Sequence, residues 1–95
     1  NLRIFSDAQG KMNLSLIDVK GEALIVSRFT LYADCVKGRR PSFTGAAEPV
    51  MAEQMYKKFV QKFKTTGLRI GEGQFGADMA IELVNFGPVT IEIEK

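Results

Sequence analysis

Ala23-Leu24-Ile25-Val26-Ser27-Arg28-Phe29-Thr30-Leu31-Tyr32 is the longest run of good strand formers in the chain. Ile, Val, Phe, Thr and Tyr all suit a pleated, half-buried surface. Its first half is continuously apolar, the pattern of a strand covered on both faces. From Ser27 onward the pattern alternates, with Phe29 and Leu31 on one face and Arg28 and Thr30 on the other. Such a strand either leaves the core and presents Arg28 and Thr30 in a cleft, or is an edge strand whose polar face meets water. The pattern alone leaves both readings open.

Before this run, Leu2 to Phe5 reads as a short strand, and Asp7-Ala8-Gln9-Gly10 has turn chemistry. Leu14 to Val19 reads as a second strand, returned into the Ala23–Tyr32 strand by Lys20-Gly21-Glu22. A connection this tight predicts an antiparallel hairpin, so the first third is expected to be a β-meander. After it, periodicity is lost from Ala33 to Glu48, a stretch holding Gly38, Arg39, Arg40, Pro41, Ser42, Phe43 and Gly45. A loop of this length is usually functional or mobile. Adjacent arginines followed by an aromatic suit phosphate binding and base stacking; the competing reading is a solvated loop pinned by Phe43.

Pro49 fits the first turn of a helix. Met51, Met55, Phe59 and Phe63 then recur at four-residue steps, flanked by Ala52 and Val60, and Gly67 ends the pattern. The expectation is an amphipathic helix whose Met/Phe stripe meets the core and whose lysines face water. Leu68-Arg69-Ile70 is a short strand candidate. Gly71, Gly73 and Gly76 follow it, but the Gly-Lys-Ser/Thr ending of a phosphate loop is absent, and no helix pattern follows as a dinucleotide fingerprint requires. Asp78 to Val84 and Val89 to Ile93 both alternate, separated by Asn85-Phe86-Gly87-Pro88, and read as a second hairpin. Strands, one long helix and strands again make a single α+β domain over residues 1–95, with a mainly antiparallel sheet or partial barrel.

Composition narrows the chemistry. The 95 residues are 45% hydrophobic and 25% charged, which suits one small folded domain rather than a disordered chain. No apolar run approaches the roughly 20 residues of a membrane span, so no membrane partner is expected and a cytoplasmic location is the default. The single Cys35 rules out an intrachain disulfide and fits a reducing compartment. There is no His, which removes a Ser-His-Asp triad, a Cys-His dyad and a His-ligated zinc site from what this chain alone can build. No metal or cofactor is expected. The net charge of +2 is small, but Lys37, Arg39 and Arg40 cluster in one loop, enough for a local positive patch.

Ser27-Arg28-Phe29-Thr30-Leu31-Tyr32 resembles the Ser-Gln-Phe-Thr-Leu-Tyr signature of the D-aminoacyl-tRNA deacylases, also called D-tyrosyl-tRNA deacylases. Asn85-Phe86-Gly87-Pro88-Val89-Thr90 matches that family's Asn-x-Gly-Pro-Val-Thr signature. Lys37-Gly38-Arg39-Arg40-Pro41-Ser42-Phe43 and Phe75-Gly76-Ala77-Asp78-Met79 resemble its intervening segments, in the same order. The resemblance implies a homodimeric, metal-independent hydrolase of the ester joining a D-amino acid, or glycine, to the 3′-terminal adenosine of tRNA. It implies that Ser27, Arg28, Phe29 and Thr30 line the ester. Gly87 and Pro88, joined by a cis bond and inserted into the partner's site, would be the chiral filter. Phe43, Ala77, Met79, Asn85 and Phe86 would bind substrate, and Lys37, Arg39 and Arg40 the tRNA backbone.

Two views of the family chemistry exist: Thr30 as nucleophile, or the tRNA 2′-hydroxyl in the key role. With no His, Thr30 lacks an evident base, which favours the second. Backbone N–H groups near Phe29 and Thr30 would then stabilise an oxyanion. Arg28 departs from the family's Gln, and a guanidinium there either repels the substrate's α-ammonium or binds its phosphate. The family's chains are also longer at the N-terminus, so these residues are expected to be the C-terminal two-thirds of the fold. The alternative function is a non-catalytic remnant that binds tRNA ends or only dimerises.

Overall fold

The computed structural model describes residues 1–95. In chain order it has β1 (Arg3–Ser6), β2 (Met12–Ser15), β3 (Glu22–Ile25), a 3-10 turn (Phe29–Leu31), α1 (Pro49–Lys64) and β4 (Arg69–Glu72). β1 and β2 pair antiparallel, and β3 and β4 pair parallel. The α+β class with one long helix stands.

The β1–β2 hairpin is made by its turn. The Asp7 carboxylate accepts from the N–H of Gln9 at 2.8 Å and of Lys11 at 3.0 Å, and Gly10 takes φ +77°. That is an Asp side chain standing in for a backbone acceptor, followed by a residue free to adopt positive φ. The register runs Arg3↔Ser15, Phe5↔Leu14, Ser6↔Met12, with irregularities that set Ile4 and Phe5 on the half-buried side.

The second strand is shorter than the pattern Leu14–Val19 predicts. It ends at Ser15, where the Asp18 carboxylate takes both the Ser15 N–H and the Ser15 hydroxyl at 2.8 Å. Those bonds wrap residues 16–20 into a turn, and Lys20 adopts φ +51°. The predicted β2–β3 hairpin is therefore corrected: β3 pairs instead with β4, in register from Glu22↔Arg69 to Ile25↔Glu72, with α1 as the crossover.

The strand predicted through Tyr32 stops at Ile25. The last β3–β4 bond is donated by the Gly73 N–H to the Ile25 carbonyl at 2.9 Å. Beyond it no neighbouring strand accepts the ladder. The backbone closes on itself instead, with the Tyr32 N–H on the Phe29 carbonyl at 3.0 Å. Arg28 and Thr30 thus do not share a strand face. The hairpin predicted over Asp78–Val84 and Val89–Ile93 is not formed either: residues 77–95 carry no regular secondary structure, and every residue from Ala80 to Lys95 is exposed.

α1 follows its sequence signals closely. Pro49 occupies the first helical turn, the last turn carries Lys62 and Lys64, and Gly67 adopts φ +76° just beyond the end. Ala52, Tyr56 and Phe63 are half-buried and Val60 is buried, so these four make the inward stripe. The predicted Met/Phe stripe is displaced from it. Met51, Met55 and Phe59 are 59%, 60% and 55% exposed, because only β4 and its approaches cover the helix. α1 is neither long nor apolar enough to cross a membrane.

Two carboxylates tie the first hairpin to pH. The N–H of Lys11, and then that of Gln9, hold the exposed Asp7 carboxyl below its ordinary 3.8; the Ser15 N–H and then its hydroxyl do the same for Asp18. A folded-state pKa below the unfolded one contributes stability that is complete above the unfolded value and vanishes as pH falls through the folded one. Acidification from about pH 5 to about pH 2 is expected to loosen the Asp7–Lys11 turn first at the Gln9 and Lys11 amides, followed in 1H–15N spectra. Midpoints at or above 3.8 for those amides would contradict this origin.

Candidate functional site

Where β3 and β4 end, their continuations part and enclose a cleft of about 810 Å³. One wall is Ser27 to Thr30, running from extended backbone at Arg28 (φ −149°, ψ 100°) into the 3-10 turn. The opposite wall is Phe75 to Met79, in which Phe75, Ala77 and Met79 are half-buried and alternate with exposed Gly76 and Asp78. Phe43, the loop at Ala46–Glu48, and Pro49 with Ala52 of α1 close the remaining side.

The walls are tied by specific contacts. Phe29 meets Phe43 edge to face at a centroid distance of 5.2 Å, an arrangement aromatic quadrupoles favour. Phe75 lies against Tyr56 of α1 at 6.0 Å. Gly73 packs closely on the far wall: a Cβ there would stand 3.0 Å from the Met79 sulfur, so the Met79 side chain would have to give by a few tenths of an ångström. The N–H groups of Phe29 and Thr30 donate to no acceptor in the chain, as expected for the opening of a 3-10 turn. Arg28 is exposed and takes part in none of the three ion pairs, although Asp78 and Glu48 line the same cleft.

Of the residues singled out from the sequence, the fold brings together Ser27, Arg28, Phe29, Thr30, Phe43, Ala77 and Met79. Lys37, Arg39 and Arg40 are exposed and do not line the cleft. They sit on a loop closed at its base by paired bonds between Asp34 and Ser42 (2.7 and 2.9 Å), with Gly38 at φ +82° in its bend. Ser42 is followed directly by Phe43, so the loop's base adjoins the cleft. Asn85, Phe86, Gly87 and Pro88 are not brought to it: all four are exposed, Phe86 completely. The Gly87-Pro88 bond is cis, as the motif implied, and Gly87 has φ +117°. A second, shallower depression of about 460 Å³ lies over Glu22, Leu24, Arg69 and Gly71 and contains none of these residues.

Sequence reasoning missed Glu48 and Ala52 in the cleft lining, and Tyr56 behind it. A signal for Tyr56 was present. It falls in register with Ala52 and Val60, and a tyrosine on an inward helix face needs a partner for its hydroxyl. Here that hydroxyl bonds the Ile25 carbonyl at 2.9 Å and the Gly73 carbonyl at 3.1 Å.

Comparison with known proteins gives this cleft a family context. A D-aminoacyl-tRNA deacylase of Clostridioides difficile is 57% identical over 95 residues, which are 100% of this chain and 64% of that protein. One of Fusobacterium nucleatum is 57% identical over 94 residues, 99% of this chain and 62% of the relative. The chain thus spans just under two thirds of the length of these curated relatives. Among solved structures, a c-Myc DNA Unwinding Element Binding Protein superposes with a TM-score of 0.87 at 41% identity, covering 100% of this chain and 65% of that one. The family model described as D-Tyr-tRNA(Tyr) deacylase matches residues 1–94, and the chain belongs to that family.

Proposed function

We propose that this chain carries the ester-cleaving cleft of a D-aminoacyl-tRNA deacylase, an enzyme that frees tRNA from a D-amino acid or from glycine. The observation that supports this most is the meeting of Ser27–Thr30 with Ala77 and Met79 across one cleft, from segments nearly fifty residues apart in family order. In this reading the aminoacyl ester lies along Ser27–Thr30, and the terminal adenosine lies against Ala77, Met79 and Phe43. The unused N–H groups of Phe29 and Thr30 receive the negative charge that develops on the carbonyl oxygen. Thr30 has no His to take its proton, so the vicinal 2′-hydroxyl of the tRNA, with water, supplies the reactive oxygen chemistry.

Lys37, Arg39 and Arg40 neutralise tRNA phosphates beside the cleft. Gly87 and Pro88 act as the filter against L-amino acids, with Asn85 and Phe86 beside them, in the site of a second copy. A homodimer is supported by two observations. The chain alone has a radius of gyration of 16.1 Å, against the roughly 12 Å of a compact domain this size. Its arm from Ile81 to Ile93 carries exposed Leu83, Val84, Phe86, Val89 and Ile91, an apolar set that favours burial in an assembly. A reducing, cytoplasmic setting fits the substrate and the free Cys35.

The test is hydrolysis of D-aminoacyl-tRNA beside its L counterpart. Turnover of the D ester alone supports the reading; no turnover of either leaves a module that binds tRNA ends or only dimerises. Arg28→Gln refines it. Arg28 is exposed and unpaired, so its loss leaves no buried partner behind. The variant is expected to keep or raise activity on D-aminoacyl-tRNA. A loss of about tenfold or more, ~1.4 kcal/mol of transition-state stabilisation, would give Arg28 a catalytic role of its own.

A further inference from the structure

We infer that Tyr56 is a positioning residue: its hydroxyl locks the two walls of the cleft to each other at the point where they separate. The inference rests on the deacylase reading for its effect on turnover, and on geometry alone for the lock itself.

Ile25 is the last residue of β3, two positions before Ser27. Gly73 follows the last residue of β4 and stands two positions before Phe75. The Gly73 N–H donates to the Ile25 carbonyl at 2.9 Å, and the Tyr56 hydroxyl stands 2.9 Å from that same oxygen and 3.1 Å from the Gly73 carbonyl. A phenol has one proton and two acceptors here, so the bond is shared or alternates between the carbonyls. No other donor reaches the Gly73 carbonyl. Removing the hydroxyl leaves that carbonyl half-buried without a partner, and the two walls joined by a single N–H bond at their root.

The lock has a rigid mount. Tyr56 sits in the middle of α1, one turn from buried Val60, and its ring lies 6.0 Å from Phe75 of the far wall. Tyr56 does not itself line the cleft. It fixes the spacing between the Phe29 and Thr30 N–H groups on one side and Ala77 and Met79 on the other. A misplacement of about 1 Å between such groups is enough to cost on the order of a hundredfold in rate. The ring is retained in Tyr56→Phe, so this variant removes the lock without emptying the packing.

The full chain and its Tyr56→Phe variant are compared by amide hydrogen exchange and by steady-state deacylation of D-aminoacyl-tRNA. Exchange is expected to rise about tenfold or more at Gly73, and at Tyr32 and Ala77, whose turn bonds lie in the two walls, while Val60 and the Asp7 turn stay unchanged. In the same variant kcat falls about tenfold and KM for the tRNA stays within about twofold. Unchanged exchange at Gly73, Tyr32 and Ala77 overturns the inference. So does a rise spread evenly over α1 and the first hairpin, which reduces Tyr56 to packing. If the parent chain hydrolyses no D ester, the deacylase reading falls and the exchange pattern alone decides the lock. If Tyr56→Phe yields no folded spectrum, the parent chain's phenolic proton decides. A slowly exchanging hydroxyl resonance for Tyr56 upholds the lock, and one exchanging at the solvent rate overturns it.

Discussion

Gly87→Ala is expected to lower hydrolysis of D-aminoacyl-tRNA by about a hundredfold while the thermal midpoint of the chain barely moves. Gly87 holds φ +117°, a region open to glycine and strained for any L side chain. An added Cβ would meet the Val89 nitrogen at 3.4 Å and Val89 Cγ2 at 3.9 Å, ordinary contacts, so space is not the obstacle. The obstacle is torsional, on the order of 1–3 kcal/mol. In an exposed arm with no regular hydrogen bonds, the backbone escapes that strain by turning away, and stability is spared. In the proposed function, the main-chain atoms assigned to selecting the D substrate are re-aimed by the same turn. Rates on paired D- and L-aminoacyl-tRNA, with thermal melts of both proteins, check the expectation. A variant with the parent's rate and the parent's D-to-L ratio would remove Gly87 from the selective machinery.

Val60→Asp is expected to abolish cooperative unfolding altogether. Val60, 3% exposed, is the chain's only buried hydrophobic residue, and it anchors α1. A carboxylate there is either buried, at several kcal/mol, or carried out to water with the helix. Domains of this kind have about 5–15 kcal/mol of net stability, so a cost of several kcal/mol is a large share of it. Val60→Ala separates burial from charge: losing two methyl-sized groups at about 0.8 kcal/mol each, plus a cavity, lowers stability by about 2 kcal/mol. Urea titrations followed by circular dichroism measure both. A Val60→Asp protein with a transition near that of the parent would mean that the core lies elsewhere.

Both variants bear on what could be read in advance. The helix was legible from Pro49 to Lys64, and so was the Asp7–Gly10 turn of the first hairpin. Which helix stripe is inward was not. Met51, Met55 and Phe59 advertise themselves by size, whereas Ala52, Tyr56 and Val60 face β4. The cleft residues were legible only through motifs. No periodicity brings Ser27–Thr30 to Ala77 and Met79; that takes the parallel pairing of β3 with β4.

What the sequence by itself determined is therefore the local part. An α-helix bonds residues four apart, and an Asp turn bonds residues two to four apart, so the signals and the structure they cause lie in one short window. What only the tertiary structure decided is which strand-like segments become strands. Glu22–Ile25 does so because Arg69–Glu72 lies beside it, while Ser27–Tyr32 and Asp78–Ile93, with equally good strand composition, have no backbone alongside to complete a ladder. A strand's hydrogen bonds belong to two segments, and the second segment's position cannot be read from the first. The same holds for Tyr56: its place on the helix is local, but the two carbonyls that make it a lock are brought there by β3 and β4.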